Sequence, residues 1–229
     1  MVLIYTDPAM LTHEPPARHP EKPERLAAIL RHLKRTGLSE SCPRGTVREA
    51  TDAELLRVHD AHHIEQIHQA VLRGAGQVEA DTWVSSGSER AARLAAGSAI
   101  EAVEAVVSGD HNRAFCAVRP PGHHARPNSP MGFCLFGTVS VAAAHAVEKL
   151  DLNRVLVVDF DVHHGNGTQE IFYEDSRVAF LSVHRHPFYP GTGSTDETGW
   201  GDGLGWTRNV PLPYGVSRSD YHSAFRNAL

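Results

Sequence analysis

Cysteine is scarce in this chain, and the little there is forms no pattern. Cys42, Cys116 and Cys134 are the three cysteines among 229 residues, and no Cys-x-x-Cys spacing occurs. That argues against a disulfide framework and a thiolate zinc cluster, and fits a reducing, cytoplasmic setting. An excess of positive charge is also missing. Twenty-two Lys and Arg stand against 27 Asp and Glu, a net charge of −5, which provides no electrostatic footprint for nucleic acid or an anionic membrane. No apolar run approaches the roughly 20 residues that span a bilayer. The opening Met1-Val-Leu-Ile-Tyr-Thr-Asp7 lacks the basic segment and the length of a secretory leader. Internal repeats and low-complexity segments are absent, so residues 1–229 read as a single domain around one core.

Histidine, by contrast, is abundant: sixteen residues, many of them clustered. Imidazole clusters point to metal binding or proton transfer. The stretch from Arg154 to Thr168 concentrates this chemistry. Val155 to Val158 is a short continuous apolar run, the pattern of a strand buried on both faces. Asp159, Asp161 and His163 then follow at every second position, and residues two apart on a strand point to one side. Asp161 and His163 are expected to converge on one cation, with Asp159 just behind. Gly165 and Gly167 are expected to end the strand in a tight turn. The carboxyl end of a parallel strand is where an open α/β sheet binds ligands.

Elements on either side support that architecture. Val2 to Tyr5 reads as a strand, and Pro23 as the first turn of a helix that closes at Gly37. Thr51-Asp-Ala-Glu54 is a capping box. Helices are expected near Ala61 to Arg73, Glu89 to Val107 (with Ser88 as its N-cap), Gly137 to Leu150 and Gln169 to Tyr173, and from Ser217 or Ser219 to the end. Further strands are expected at Arg113 to Val118 and Arg177 to Val183, with loops over Asp81 to Ser88 and Pro187 to Gly205. Strands alternating with helices of this length make an α/β protein with a parallel sheet.

Arg119-Pro-Pro-Gly-His-His-Ala125 is the second chemical signal. Two prolines and a glycine hold the exit from the preceding strand rigid and present His123 and His124 in fixed geometry. Neutral imidazole suits proton transfer near pH 7, and each ring needs a partner to set its tautomer. Asp159 and Asn166 have the right side chains.

Together, Arg119 to Ala125, Met131-Gly-Phe-Cys134 and Asp159-Phe-Asp-Val-His-His-Gly-Asn-Gly-Thr168 resemble the zinc-dependent histone deacetylase family, which includes bacterial deacetylase-like and acetylpolyamine amidohydrolases. His19-Pro-Glu-Lys-Pro-Glu-Arg-Leu26, Val58-His59, Asp81-Thr82 and Asn209-Val-Pro-Leu-Pro213 resemble it too, and Asn166 is similar to the class II branch. The resemblance implies an arginase/deacetylase three-layer α/β sandwich with a mainly parallel sheet. It also implies hydrolysis of acetyl-lysine peptides, acetylated polyamines or small acetylated amines. On that basis Asp161 and His163 are zinc ligands and His124 is the acid/base. His123, paired with Asp159, assists, and Asn166 orients His124. Phe133, Gly132 and Tyr189 wall the substrate channel, and Asp81 sits at its rim to hold the substrate backbone. A structural potassium ion is implied near Asp159, Asp161, His163, Ser182 and Val183.

Two elements of the family pattern do not occur in this sequence: a later Asp as third zinc ligand, and a Tyr that stabilises the oxyanion. Asp196, Asp202, Asp220, Tyr214 and Tyr221 lie in unlike contexts. The expectation is a C-terminally incomplete deacetylase domain whose last strands are missing. Two alternatives are a non-catalytic pseudo-deacetylase that binds acyl-lysine or a partner, and an arginase-like hydrolase with two metals. Substrate identity and oligomeric state stay open.

Overall fold

A computed structural model describes residues 2–229. In chain order its elements are β1 (Val2–Tyr5), α1 (Pro23–Arg35), α2 (Leu38–Ser41), α3 (Asp52–Leu55), α4 (Ala61–Leu72), β2 (Gly76–Glu79), β3 (Thr82–Val84) and α5 (Ser88–Val107). They continue with β4 (Arg113–Cys116), α6 (Thr138–Glu148), β5 (Val155–Asp159), α7 (Asn166–Phe172), β6 (Val178–Arg185), β7 (Thr207–Leu212) and α8 (Arg218–Ala228). The architecture is α/β with parallel sheets, as expected. β1 pairs with β4 and, separately, β5, β6 and β7 lie side by side, every pairing parallel. β2 and β3 form a small antiparallel hairpin.

Local sequence explains most boundaries. Pro23 opens α1, which ends before Gly37 in the left-handed conformation (φ 73°), where a Cβ is unfavourable. Thr51 and Glu54 complete the capping box reciprocally, although the helix lasts only four residues. α5 and α6 pack along faces of small residues, Ala91, Ala92, Ala95 and Ala96 on one and Ala143 and Ala144 on the other, all buried. Gly97 on α5 lies so close to the Arg48 carbonyl and Ala50 amide that any Cβ would overlap them. The main core joins these helices to the second sheet through Ile67, Ile100, Phe136, Val141, Val157 and Phe180, each such burial contributing about 1.5–3 kcal/mol. No helix among the described residues is long and apolar enough to cross a membrane.

Four expectations are corrected. β5 is not buried on both faces: it is an edge strand, with Leu156 54% exposed and only Val157 fully covered. It stops at Asp159, so Asp161 and His163 stand on the following loop, and Gly167 lies inside α7, not in the turn. Asp81 to Ser88 is not all loop, because Thr82–Val84 pairs with Gly76–Glu79. Ser88 is the first helical residue behind Gly87 and caps nothing in α5; its hydroxyl meets His13 and the Ser85 amide instead. β7 had no counterpart in the sequence reading.

Candidate active site

The tandem histidines are presented by a loop anchored at its root by a buried ion pair. Arg119 donates from Nε and Nη2 to the two Glu21 carboxylate oxygens at 2.9 and 2.7 Å, and from Nη1 to the Met10 carbonyl at 2.8 Å. His13 reaches the same carboxylate at 3.3 Å. Three residues further on, Gly122 sits against the Phe136 carbonyl and Thr138 amide, leaving no room for a Cβ. The loop thus enters the site between two fixed points.

The two rings then find different partners. His123 Nδ1 meets Asp159 Oδ2 at 2.8 Å, and His124 Nδ1 meets Asn166 Oδ1 at 2.7 Å. Their centroids are 4.0 Å apart. Burial works to lower the His123 pKa, but the hydrogen bond and charge of Asp159 outweigh it and the net shift is upward. Asp159 shifts down in return, its burial outweighed by His123. His124 has no carboxylate partner among the described residues; burial and neighbouring His123 hold it down to about 4. The two adjacent imidazoles are therefore shifted in opposite directions by their unlike partners.

Asp161 and His163 face these histidines from the loop after β5. The Asp161 amide donates to Asp159 Oδ1 at 3.1 Å, and the His163 amide to Asp161 Oδ1 at 2.9 Å, so each turn residue is aimed by the one before it. His163 Nδ1 lies 3.1 Å from Asp161 Oδ1. A carboxylate oxygen and an imidazole nitrogen are both donors that zinc takes. The donor chemistry fits two positions of a zinc site. No group of three or more His, Cys, Asp or Glu side chains able to hold an ion occurs among the described residues.

A cleft of about 410 Å³ joins the four residues, lined also by Asp81, Gly132, Phe133 and Tyr189. Phe133 and Gly132 both have positive φ, 70° and 56°, a costly conformation for Phe. The hairpin of β2 and β3 holds it: the Gly132 amide donates to Asp81 Oδ1 at 3.1 Å and the Phe133 amide to Thr82 Oγ1 at 3.0 Å. One Asp81 oxygen thus braces the wall. Tyr189 stands edge-on to His124 and His163, with centroids 5.2 and 5.8 Å away. Burial and the charge of Asp81 push its phenol pKa up. Ser182 lies opposite Asp159 in the β5–β6 ladder, its hydroxyl 2.8 Å from His184 Nδ1. Neither Ser182 nor Val183 lines the cleft. A larger cavity of about 640 Å³ shares only Asn166 among the predicted site residues and contains neither tandem histidine.

Several contributors were missed. Pro20 and Arg25 line the cleft, and their presence in the His19–Leu26 motif was the available signal. His19 meets Phe133 edge-on at 4.7 Å, while Phe188 stacks on His163 at 5.1 Å; no sequence spacing signals either contact. Met131 supports the far side of Asn166, whose Nδ2 points at its sulfur 3.4 Å away.

Comparison with known proteins agrees with this geometry. The histone deacetylase domain matches residues 19–229. A probable deacetylase of Archaeoglobus fulgidus is 41% identical over 92% of this chain and 59% of its own length. The human polyamine deacetylase HDAC10 is 38% identical over 91% of this chain and 33% of its own. The crystal structure of the HDA15 HD domain superposes with a TM-score of 0.87 at 41% identity, covering 92% of this chain and 61% of that one. The chain spans less than two thirds of the length of each of these relatives.

Proposed function

This chain belongs to the histone deacetylase family, and from that premise we propose that its cleft removes the acetyl group from an N-acetylated primary amine. Acetyl-lysine in a peptide, an acetylated polyamine and a small acetylated amine all have the required slender stem. The observation that carries the reading is the pair of adjacent histidines with unlike partners, Asp159 and Asn166, facing the Asp161–His163 donors across an aromatic-walled cleft.

Asp161 and His163 would hold a zinc ion, which when bound supplies Lewis acidity toward the acyl oxygen and the attacking water. Proton handling falls to His124. Asn166 Oδ1 can only accept, so His124 carries its proton on Nδ1 and leaves the Nε2 lone pair free. That nitrogen takes a proton from the water and returns it to the departing amine, which leaves poorly unless protonated. His123, hydrogen-bonded to Asp159, assists electrostatically beside the developing oxyanion. Phe133, Gly132 and Tyr189 enclose the stem, and the second carboxylate oxygen of Asp81 accepts from a substrate N–H. A structural potassium ion near Asp159, Asp161, His163, Ser182 and Val183 would belong to the same reading, as would a single deacetylase domain over residues 1–229.

Zinc-reconstituted protein is expected to release acetate from an acetyl-lysine peptide or N-acetylputrescine, and His124→Ala to lose at least about a hundredfold of that rate. One other reading is binding of acyl-lysine or a partner without turnover. A folded, zinc-loaded protein that retains acetyl-lysine peptide but releases no acetate would decide for it.

A further inference from the structure

A stack of four side chains runs from the candidate metal ligand His163 to the turn that precedes α8. His163 lies nearly parallel to Phe188, with planes 11° apart and centroids at 5.1 Å. Phe188 carries the Arg185 guanidinium 4.0 Å from its centroid, and the same guanidinium lies 4.4 Å from the Tyr214 ring. Arg185 makes no ion pair among the described residues, and its Nε is buried without a hydrogen-bond partner. A cation held by two ring faces and no carboxylate draws its placement from those rings. Arg185 is also the last residue of β6, and its amide donates to the Val162 carbonyl at 3.0 Å, inside the loop that bears Asp161 and His163.

We propose that Arg185 and Tyr214 are positioning residues for His163: gripped by Tyr214, the guanidinium seats Phe188 on the imidazole face and sets the ring plane in which the ligating nitrogen points. The inference rests on the zinc reading given above. A metal–imidazole bond requires the lone pair to be aimed at the ion, and groups behind a ligand that fix its orientation govern metal retention. The turn around Tyr214 is therefore part of the metal site without touching it. Tyr214 is 82% exposed, so its removal uncovers no core.

The test measures zinc affinity of the full chain by competition with a chromophoric chelator. In parallel, the metal-free chain is followed by NMR through the His163 ring protons, identified by their loss in His163→Ala. Wild type is expected to bind one zinc. Arg185→Ala should weaken it about three- to tenfold and Tyr214→Ala about two- to fivefold. Tyr214→Phe, which keeps the ring face, should bind as wild type. The double variant should be no weaker than Arg185→Ala alone, because Tyr214 acts through the guanidinium. Loss of the Phe188 ring current should move the His163 resonances in both alanine variants before any metal is added. Unchanged zinc affinity and unchanged resonances in Arg185→Ala and Tyr214→Ala overturn the proposal. Failure of wild type to bind zinc, or of His163→Ala to weaken it, instead overturns the metal reading and this inference with it.

Discussion

Replacing Glu21 by Gln removes the carboxylate that neutralises Arg119 at the root of the tandem-histidine loop. Both residues are buried, and the carboxylate accepts twice from the guanidinium while His13 stands 3.3 Å away. The Gln amide keeps one acceptor but turns an N–H toward a guanidinium N–H, leaving a buried cation without a counter-charge, at a cost of about 3–5 kcal/mol. Ionisation supplies an independent figure. Burial opposes the charged form, but His13 and Arg119 overcome it and hold the Glu21 pKa at about 2, against an ordinary 4.5. At about 1.4 kcal/mol per unit, that difference amounts to roughly 3 kcal/mol. Because the folded pKa is the lower one, this stability is fully present above pH 4.5 and is lost as pH falls toward 2. Urea unfolding of both proteins at pH 7, 5, 4 and 3 tests the reasoning. The gap between wild type and Glu21→Gln should be about 3–5 kcal/mol at neutral pH and should narrow steadily below pH 4.5. A gap under about 1 kcal/mol, or one that stays constant down to pH 3, would refute it.

Three other perturbations follow from the geometry. Gly132→Ala places a Cβ into the His124 ring at a positive φ, so turnover should fall about a hundredfold or more while circular dichroism stays unchanged; near-normal kcat would contradict the close packing described. Asn166→Ala frees His124 Nδ1 and should lower kcat about ten- to a hundredfold with little change in KM, whereas a pure KM effect would point to substrate contact instead. His59 donates from Nδ1 to the Arg126 carbonyl and accepts at Nε2 from the Gly137 amide, and burial, with His63 beside it, holds its pKa at about 3 against 6.5. The unfolded chain takes up that proton first, so the contribution is complete above pH 6.5 and declines toward pH 3 by at most about 1.4 kcal/mol per unit; His59→Gln should flatten the stability profile in that window, and identical slopes would count against the assignment.

Residue type and spacing foretold which side chains meet better than they foretold the elements that carry them. Asp159, Asp161, His163, His123, His124 and Asn166 are legible because polar groups this concentrated must find partners, and the structure pairs them as their chemistry requires. The alternation rule that grouped Asp161 with His163 had the wrong backbone behind it: the strand stops at Asp159, and successive amide-to-carboxylate bonds aim the loop instead. Burial of β5 was misread because a run of Val and Leu does not reveal whether a neighbouring strand covers its edge. β3 and β7 were invisible for a related reason. Thr82–Val84 is too short for a periodic signal, and Asn209 and Pro211 interrupt the apolar pattern of Thr207–Leu212.

The contacts that locate the tandem-histidine loop and the aromatic wall share one feature: they join residues far apart in sequence. Glu21 holds Arg119, Thr82 holds Phe133, and His59 ties the Arg126 carbonyl to the Gly137 amide, with partners separated by 98, 51, 67 and 78 positions respectively. Each is a buried or half-buried polar contact that ends on the loop bearing the tandem histidines or on the aromatic wall beside it. A loop with two prolines is stiff but has no intrinsic place to stand; these contacts supply the place. The cost of leaving any one of them half made, about 1–3 kcal/mol for a neutral buried group and more for a charge, falls on the loops that carry the chemistry and less on the strands behind them. Substitutions at Glu21, Thr82 or His59 should therefore impair catalysis at a given loss of stability more than core truncations such as Ile100→Ala. Acetate release plotted against unfolding free energy for both classes would show this as two separate lines, and a single common line would show that these contacts stabilise the fold without positioning the site.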